Sequence, residues 1–116
     1  MIFGAHVIVF THDADADRAF FRDVLEMASV DSGGGWLIFE MPPSEIAFHP
    51  THDAPTNELY FVCDDLASEM ARLEAKGVVF STIDDERWGT VTRFSLPGGT
   101  TLALYQPKHP MALTRR

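Results

Sequence analysis

The stretch ELYFVCDDLASEMARLEAKG, residues 58–77, contains a strand pattern and a helix pattern in direct succession. Residues 58–63 are mostly aromatic and aliphatic, which favours a strand. The helix pattern is a set of apolar residues at positions i, i+4 and i+7, namely Leu66, Met70 and Leu73. Asp64 or Asp65 can cap the start of this helix, and Gly77 supplies the left-handed residue that commonly ends one.

Further strand patterns follow this helix. Residues 78–81 are predicted to form a short strand, residues 91–96 a longer one, and residues 101–105 the last one. The Pro-Gly-Gly sequence at residues 97–99 marks a turn between the last two strands. The second half of the chain is therefore predicted to have the order βαβββ.

The first half repeats this order. Setting His6 on Glu58 aligns the apolar runs 7–10 and 59–62. An acidic stretch that is suited to a helix start precedes a helix pattern that ends near Met27. Strands are predicted at residues 2–10, 28–31, 36–41 and 45–49. We therefore predict an α+β protein of two tandem βαβββ modules, at residues 2–50 and 57–107, with a connector at 51–56 and a frayed tail at 108–116.

Composition and charge limit the class of protein. The chain has 116 residues, enough for one compact domain, and its formal net charge of −8 argues against a nucleic-acid partner. No apolar run approaches the roughly 20 residues that cross a bilayer, which argues against a membrane partner. The first residues include no basic region, so we expect no signal peptide and a cytoplasmic protein. Cys63 lies in an apolar run and is predicted to be a small buried residue rather than a nucleophile.

Four segments resemble the vicinal oxygen chelate superfamily, which includes glyoxalase I, bleomycin-resistance proteins and extradiol dioxygenases. They are HVIVFTHDADADRAFFRDVLEM (6–27), EIAFHP (45–50), ELYFVCDDLASEMARLEAKGV (58–78) and FSLPGGTTLALYQP (94–107). Leu96 stands where the superfamily usually has Asp, and Glu26 where it usually has Gly. The resemblance implies the glyoxalase-like fold, in which two βαβββ modules form a curved, partly open, barrel-like sheet around a cavity.

The resemblance also indicates where a metal would bind. Metal-dependent members take ligands from the first and last strands of each module, and these positions are His6, Ala47, Glu58 and Ala103 here. His6 and Glu58 can bind a metal, but the alanines cannot. His49 shares a strand face with Ala47, although a two-residue step moves it by roughly 6.6 Å. His6 is equally consistent with a hydrogen-bonded core histidine, and Glu58 with a solvent-exposed strand end. We therefore favour a protein without a cofactor, with a divalent metal at His6 and Glu58 as the alternative.

The inward-facing positions predict a mostly apolar cavity for a small organic molecule. The expected ligand-binding residues are His6, Ile8, Phe10, Ala47, His49, Glu58, Tyr60, Ala103 and Tyr105. The first hypothesis is a protein that binds an aromatic or amphipathic molecule, as the antibiotic-sequestering members of the superfamily do. The second is a metal-dependent lyase, isomerase or dioxygenase, and the third is a metal-free enzyme with Glu58 or His6 as a general base.

The expected assembly is a homodimer. Open curved sheets have edges and apolar faces that need to be covered. The resemblance points the same way, because many two-module chains of this superfamily pair so that each cavity uses strands of both subunits.

Overall fold

The computed structural model describes residues 6–113, which contain two helices, a two-stranded sheet and a four-stranded sheet. In chain order the elements are α1 (Ala14–Asp23), β1 (Ser29–Asp31), β2 (Leu37–Phe39), β3 (Tyr60–Val62), α2 (Leu66–Glu74), β4 (Asp84–Asp85), β5 (Gly89–Ser95) and β6 (Thr101–Pro107). These elements confirm the α+β class. Within residues 6–113, no helix has the length and apolar character needed to span a bilayer.

The larger sheet is built from the second half of the chain. Its strand order is β3-β6-β5-β4, with β3 parallel to β6 and the other neighbours antiparallel. Because α2 lies between β3 and β4 in the chain, this half has the predicted order βαβββ. The strand predicted at residues 78–81 was wrong, since the edge strand is Asp84–Asp85. Val78 is buried in the core, and the Phe80 and Phe94 ring centroids lie 5.6 Å apart, so these two side chains pack inward.

Helix α2 covers one face of the larger sheet. Asp65 is its N-cap, and its carboxylate accepts a hydrogen bond from the Ser68 N–H at 3.1 Å. Gly77 has a φ of +91°, the left-handed conformation that was predicted for it. The buried side chains of this core are Leu66, Leu73, Val78, Phe94, Leu96, Leu102 and Leu104. The core therefore uses one side of β5 and β6, and the alternating side chains of these strands form the opposite face.

Helix α1 begins where the sequence predicts and ends earlier. Asp13 is its N-cap and accepts a hydrogen bond from a first-turn N–H at 3.0 Å. The helix ends at Asp23, because the chain turns away and Glu26 adopts a φ of 58°, which a helix does not allow. Glu26 stands at the position where the superfamily usually has Gly, and Lys76 holds its carboxylate at 2.8 Å. The chain therefore requires a left-handed residue at position 26, and the ion pair with Lys76 in the second half helps to hold Glu26 in this conformation.

Two predicted strands of the first half do not form in the described chain. Residues 6–10 and 45–49 are in no strand, and residues 2–5 of the first predicted strand lie outside the described residues. Strands β1 and β2 pair only with each other within residues 6–113. The predictions were wrong because alternation determines which side chains share a face, whereas a strand also needs a neighbouring strand to bond.

Contacts between α1 and the β5–β6 turn join the two halves. The rings of Phe20 and Phe94 stack with centroids 6.1 Å apart. Asp17 Oδ1 accepts the backbone N–H of Gly98 at 2.7 Å, and both residues are buried. A Cβ at Gly98 would lie 1.7 Å from the Thr11 hydroxyl oxygen, so a larger residue does not fit without a shift. One buried carboxylate thus fixes the turn to the first helix.

We expect Asp17→Ala to lower the free energy of unfolding by about 1–3 kcal/mol, because it leaves the buried Gly98 N–H without an acceptor. Asp15→Ala is the matched control, since both acids lie in the first turn of α1 and share its dipole. The Asp15 side chain is 96% exposed, so its removal should cost much less. Urea unfolding of both variants checks this, and equal losses would contradict it.

Candidate functional site

The face of the larger sheet opposite α2 carries a cluster of aromatic side chains. Strand register places Tyr60, Ala103 and Arg93 side by side on β3, β6 and β5. The next row on the same face consists of Val62, Tyr105 and Val91. Trp88 lies just before β5 and packs against both tyrosines. We call this surface the aromatic face; it is formed by Tyr60, Trp88, Arg93, Ala103 and Tyr105.

The three rings of the aromatic face contact one another edge to face. The Tyr105 ring centroid lies 5.5 Å from that of Tyr60 and 5.7 Å from that of Trp88, and the Tyr60 and Trp88 centroids are 6.3 Å apart. Edge-to-face pairs are a favoured aromatic geometry. A shallow cavity of about 410 Å³, lined by Arg87, Trp88 and His109, adjoins these rings. Tyr105 is buried and Tyr60 and Trp88 are half-buried, so the ring surface accessible to a planar molecule is that of Tyr60 and Trp88.

Arg93 brings a positive charge to the aromatic face. Its Nη2 donates a hydrogen bond to the Tyr60 hydroxyl at 3.1 Å, and its guanidinium carbon lies 5.9 Å from the Tyr60 ring centroid. Ala103 separates the two residues in the strand register, and its small side chain lets their long side chains meet. Asp84 is a distant ion-pair partner, with 3.9 Å between its Oδ2 and Arg93 Nη1.

The segment after β6 is anchored beside the aromatic face. Glu45 Oε2 accepts the backbone N–H groups of Ala112 at 2.7 Å and of Leu113 at 3.2 Å. Lys108 pairs with Asp85 at the edge of the sheet. The prediction of a frayed tail was wrong for residues 108–113, because the bonds that hold this segment come from residues distant in sequence. The remainder of the predicted tail, residues 114–116, lies outside the described residues.

Tyr105 lies at the end of the aromatic face beside His109. Burial raises the pKa of its hydroxyl, and the carboxylate of Glu45 raises it further. His109 Nδ1 lies 2.8 Å from the Pro110 carbonyl oxygen, which can only accept, so Nδ1 carries a proton. His109 Nε2 lies 3.2 Å from the Tyr105 hydroxyl oxygen and 4.0 Å from Glu45 Oε1. These contacts hold Tyr105 and His109 together at this end of the face.

The structure brings together part of the predicted ligand-binding set. Tyr60, Ala103 and Tyr105 lie on the aromatic face. The other six members are exposed and lie in no described strand: His6, Ile8, Phe10, Ala47, His49 and Glu58. All of them except Glu58 belong to the two segments that find no strand partner. A role for these six in binding stays a prediction.

The residues of a single chain do not fit a catalytic metal ion. Residues 6–113 contain no group of three or more His, Cys, Asp or Glu side chains that could hold one. A catalytic metal normally needs three protein ligands. Ala103, at the position matched to the superfamily's last ligand, lies between Tyr60 and Arg93, whose positive charge repels a cation.

Sequence reasoning missed Arg93, Glu45 and His109. For Arg93 a pattern was present, because Val91 and Arg93 alternate with the core residues Thr92 and Phe94 along one predicted strand. No local pattern indicates Glu45 or His109. Their contacts join residues 45, 105, 109 and 112, which only the tertiary structure brings together.

No protein-family profile and no curated protein matches the sequence, but solved structures match the fold. TnmS3, an antibiotic binding protein from a Streptomyces species, has 22% identity and a TM-score of 0.64, over 93% of this chain and 100% of that one. The glyoxalase-like fold of the vicinal oxygen chelate superfamily is the fold of this chain. A member of the glyoxalase/bleomycin resistance protein/dioxygenase superfamily from Sphaerobacter thermophilus has 17% identity and a TM-score of 0.64, over 90% and 98%. The fosfomycin resistance protein FosX from Listeria monocytogenes has 17% identity and a TM-score of 0.61, over 93% and 96%.

We expect Cys63 of this glyoxalase-like chain to react slowly with iodoacetamide. Burial raises the pKa of its thiol to about 11, with smaller contributions from Glu69 and Asp64. At pH 8 such a thiol is about 0.1% ionised, against roughly a quarter for an ordinary cysteine. Alkylation followed by mass spectrometry should therefore be about a hundredfold slower in the folded protein than in concentrated urea. Equal rates in the two conditions would show a reactive thiol instead.

Proposed function

We propose that this protein binds a small organic molecule with a planar aromatic ring on the aromatic face. The observation that carries the proposal is the packing of the half-buried Tyr60 and Trp88 against the buried Tyr105 ring, on the sheet face opposite α2. Flat, rigid rings supply contact area at a low cost in conformational entropy. TnmS3, which has the same fold, is an antibiotic binding protein, and this supports a binding role.

The proposal does not include a metal or another cofactor. A metal-dependent lyase, isomerase or dioxygenase is the alternative, and it lacks a third ligand beside His6 and Glu58 within residues 6–113. Both of these side chains are exposed, so neither is held in position as a ligand or a general base. A binding protein needs only the ring contacts and hydrogen bonds that the aromatic face already has.

The active form that we propose is a cytoplasmic homodimer. Phe10 is 90% exposed and Phe48 87% exposed, and both lie in segments for which the sequence predicts strands. Strand β3 is an edge of the larger sheet, so one side of its backbone is open to another strand. In a dimer, a second copy covers these rings and completes the two tandem βαβββ modules at residues 2–50 and 57–107. The curved, partly open sheet then encloses the aromatic face.

Binding is tested with N-phenyl-1-naphthylamine, a neutral aromatic probe whose fluorescence rises in apolar surroundings. We expect saturable binding by the wild type and at least about tenfold weaker binding by Trp88→Ala, because the indole packs against both tyrosines. Trp36→Phe is the control, since Trp36 lies outside the aromatic face and is 62% exposed. Absence of saturable binding by the wild type, or equal losses in both variants, would overturn the proposed function.

Assembly is tested by sedimentation at micromolar concentration. We expect a mass of about twice the 12.9 kDa of one chain. Phe48→Asp should produce monomers, because it puts a charge in the proposed interface. Val79→Asp is the matched control, since Val79 is 83% exposed but lies in the second half, away from the unpaired segments. A wild-type mass near that of one chain, with probe binding intact, would contradict the dimer.

A further inference from the structure

Arg93 is the one charged residue among the five that form the aromatic face. It lies at one end of a row in which Ala103 separates it from Tyr60. The whole chain has 17 acidic residues against nine Lys and Arg, so its net charge is negative. The positive charge of Arg93 among aromatic rings is therefore opposite in sign to the net charge of the protein. Its side chain is 36% exposed, which leaves the charged end accessible from solvent.

The described contacts do not neutralise this guanidinium. Asp84 approaches only to 3.9 Å, and its own side chain is 55% exposed, so the pair is loose and screened by solvent. The bond to Tyr60 is to a neutral hydroxyl and uses one of the five N–H groups of the arginine. The other N–H groups of the planar guanidinium therefore remain available as donors beside the rings. Their fixed geometry matches the oxygen atoms of a carboxylate or sulfonate.

We propose that Arg93 is an anion-binding residue and that the ligand is a planar aromatic molecule bearing an oxyanion, such as a carboxylate or a sulfonate. The inference rests on the proposed function and adds to it the chemical class of the ligand. The half-buried rings of Tyr60 and Trp88, backed by Tyr105, contact the aromatic part, and the guanidinium donates hydrogen bonds to the anionic group. In this arrangement Tyr60 also holds the guanidinium in place through its hydroxyl.

The test compares two probes that share one ring system. 8-Anilinonaphthalene-1-sulfonate carries a sulfonate, and N-phenyl-1-naphthylamine lacks it. We expect the wild type to bind the sulfonate at least about tenfold more tightly, and Arg93→Met to reduce this preference to within about twofold. Arg93→Lys should retain part of the preference, because it keeps the charge but loses the fork. Thermal unfolding of each variant establishes that it is folded.

Two further variants separate the role of Arg93 from general charge effects. Arg18→Met is the matched control, because Arg18 also lies over an aromatic ring, 4.5 Å from the centroid of Trp36, but outside the aromatic face. It should leave the preference for the sulfonate unchanged. Asp84→Asn removes the competing carboxylate and should tighten sulfonate binding by about threefold without affecting the neutral probe. This gain of affinity tests the inference even where Arg93→Met does not fold.

The outcomes distinguish this inference from the proposed function. Binding of the neutral probe with no preference for the sulfonate, or a preference that survives Arg93→Met, would overturn the inference and leave the proposed function standing. Equal losses of both probes in a folded Arg93→Met would show that the arginine only supports the rings. Failure of the wild type to bind either probe would overturn the proposed function, and the inference with it.

Discussion

The hydrogen bond from Gly98 to Asp17 is the contact on which the rest of the fold depends. It joins residues 81 positions apart, and it is buried, so water cannot replace it. It holds the β5–β6 turn against the first helix, while the stacked rings of Phe20 and Phe94 pack beside it. This turn connects β5 to β6, and the register of these two strands places Arg93 opposite Ala103.

One sheet thus serves two purposes through its two faces. Residues such as Leu102 and Leu104 point to the helices and form the core, while Ala103 and Tyr105 between them form the aromatic face. Because the two sets alternate along the same strands, the core holds the aromatic face rigid from behind. Side chains on a rigid sheet keep their positions better than side chains on loops, which favours selective binding.

The first half of the chain is less well packed than the larger sheet of the second half. Its small sheet of β1 and β2 stands alone within the described residues, and large apolar side chains such as Phe10 and Phe48 are exposed. Most of the large apolar side chains that are exposed within residues 6–113 lie in this half, and such a concentration commonly marks a surface that another molecule covers. Residues 6–10 and 45–49 have the residue pattern of strands but pair with no other strand within residues 6–113. In the proposed dimer, a second copy of the chain provides strands for them to pair with.

The sequence by itself determined the elements whose signals are local. A helix cap at Asp64 or Asp65, Gly77 as a left-handed residue and the alternation along β6 were all predictable, because a cap, a turn and a strand face depend on a few adjacent residues. Tertiary structure alone decided that residues 6–10 and 45–49 pair with no strand within residues 6–113, that Glu45 anchors the segment after β6, and that Arg93 meets Tyr60 over Ala103. The physical reason is that pairing and side-chain contacts across strands depend on which distant segments become neighbours, and no local pattern specifies that.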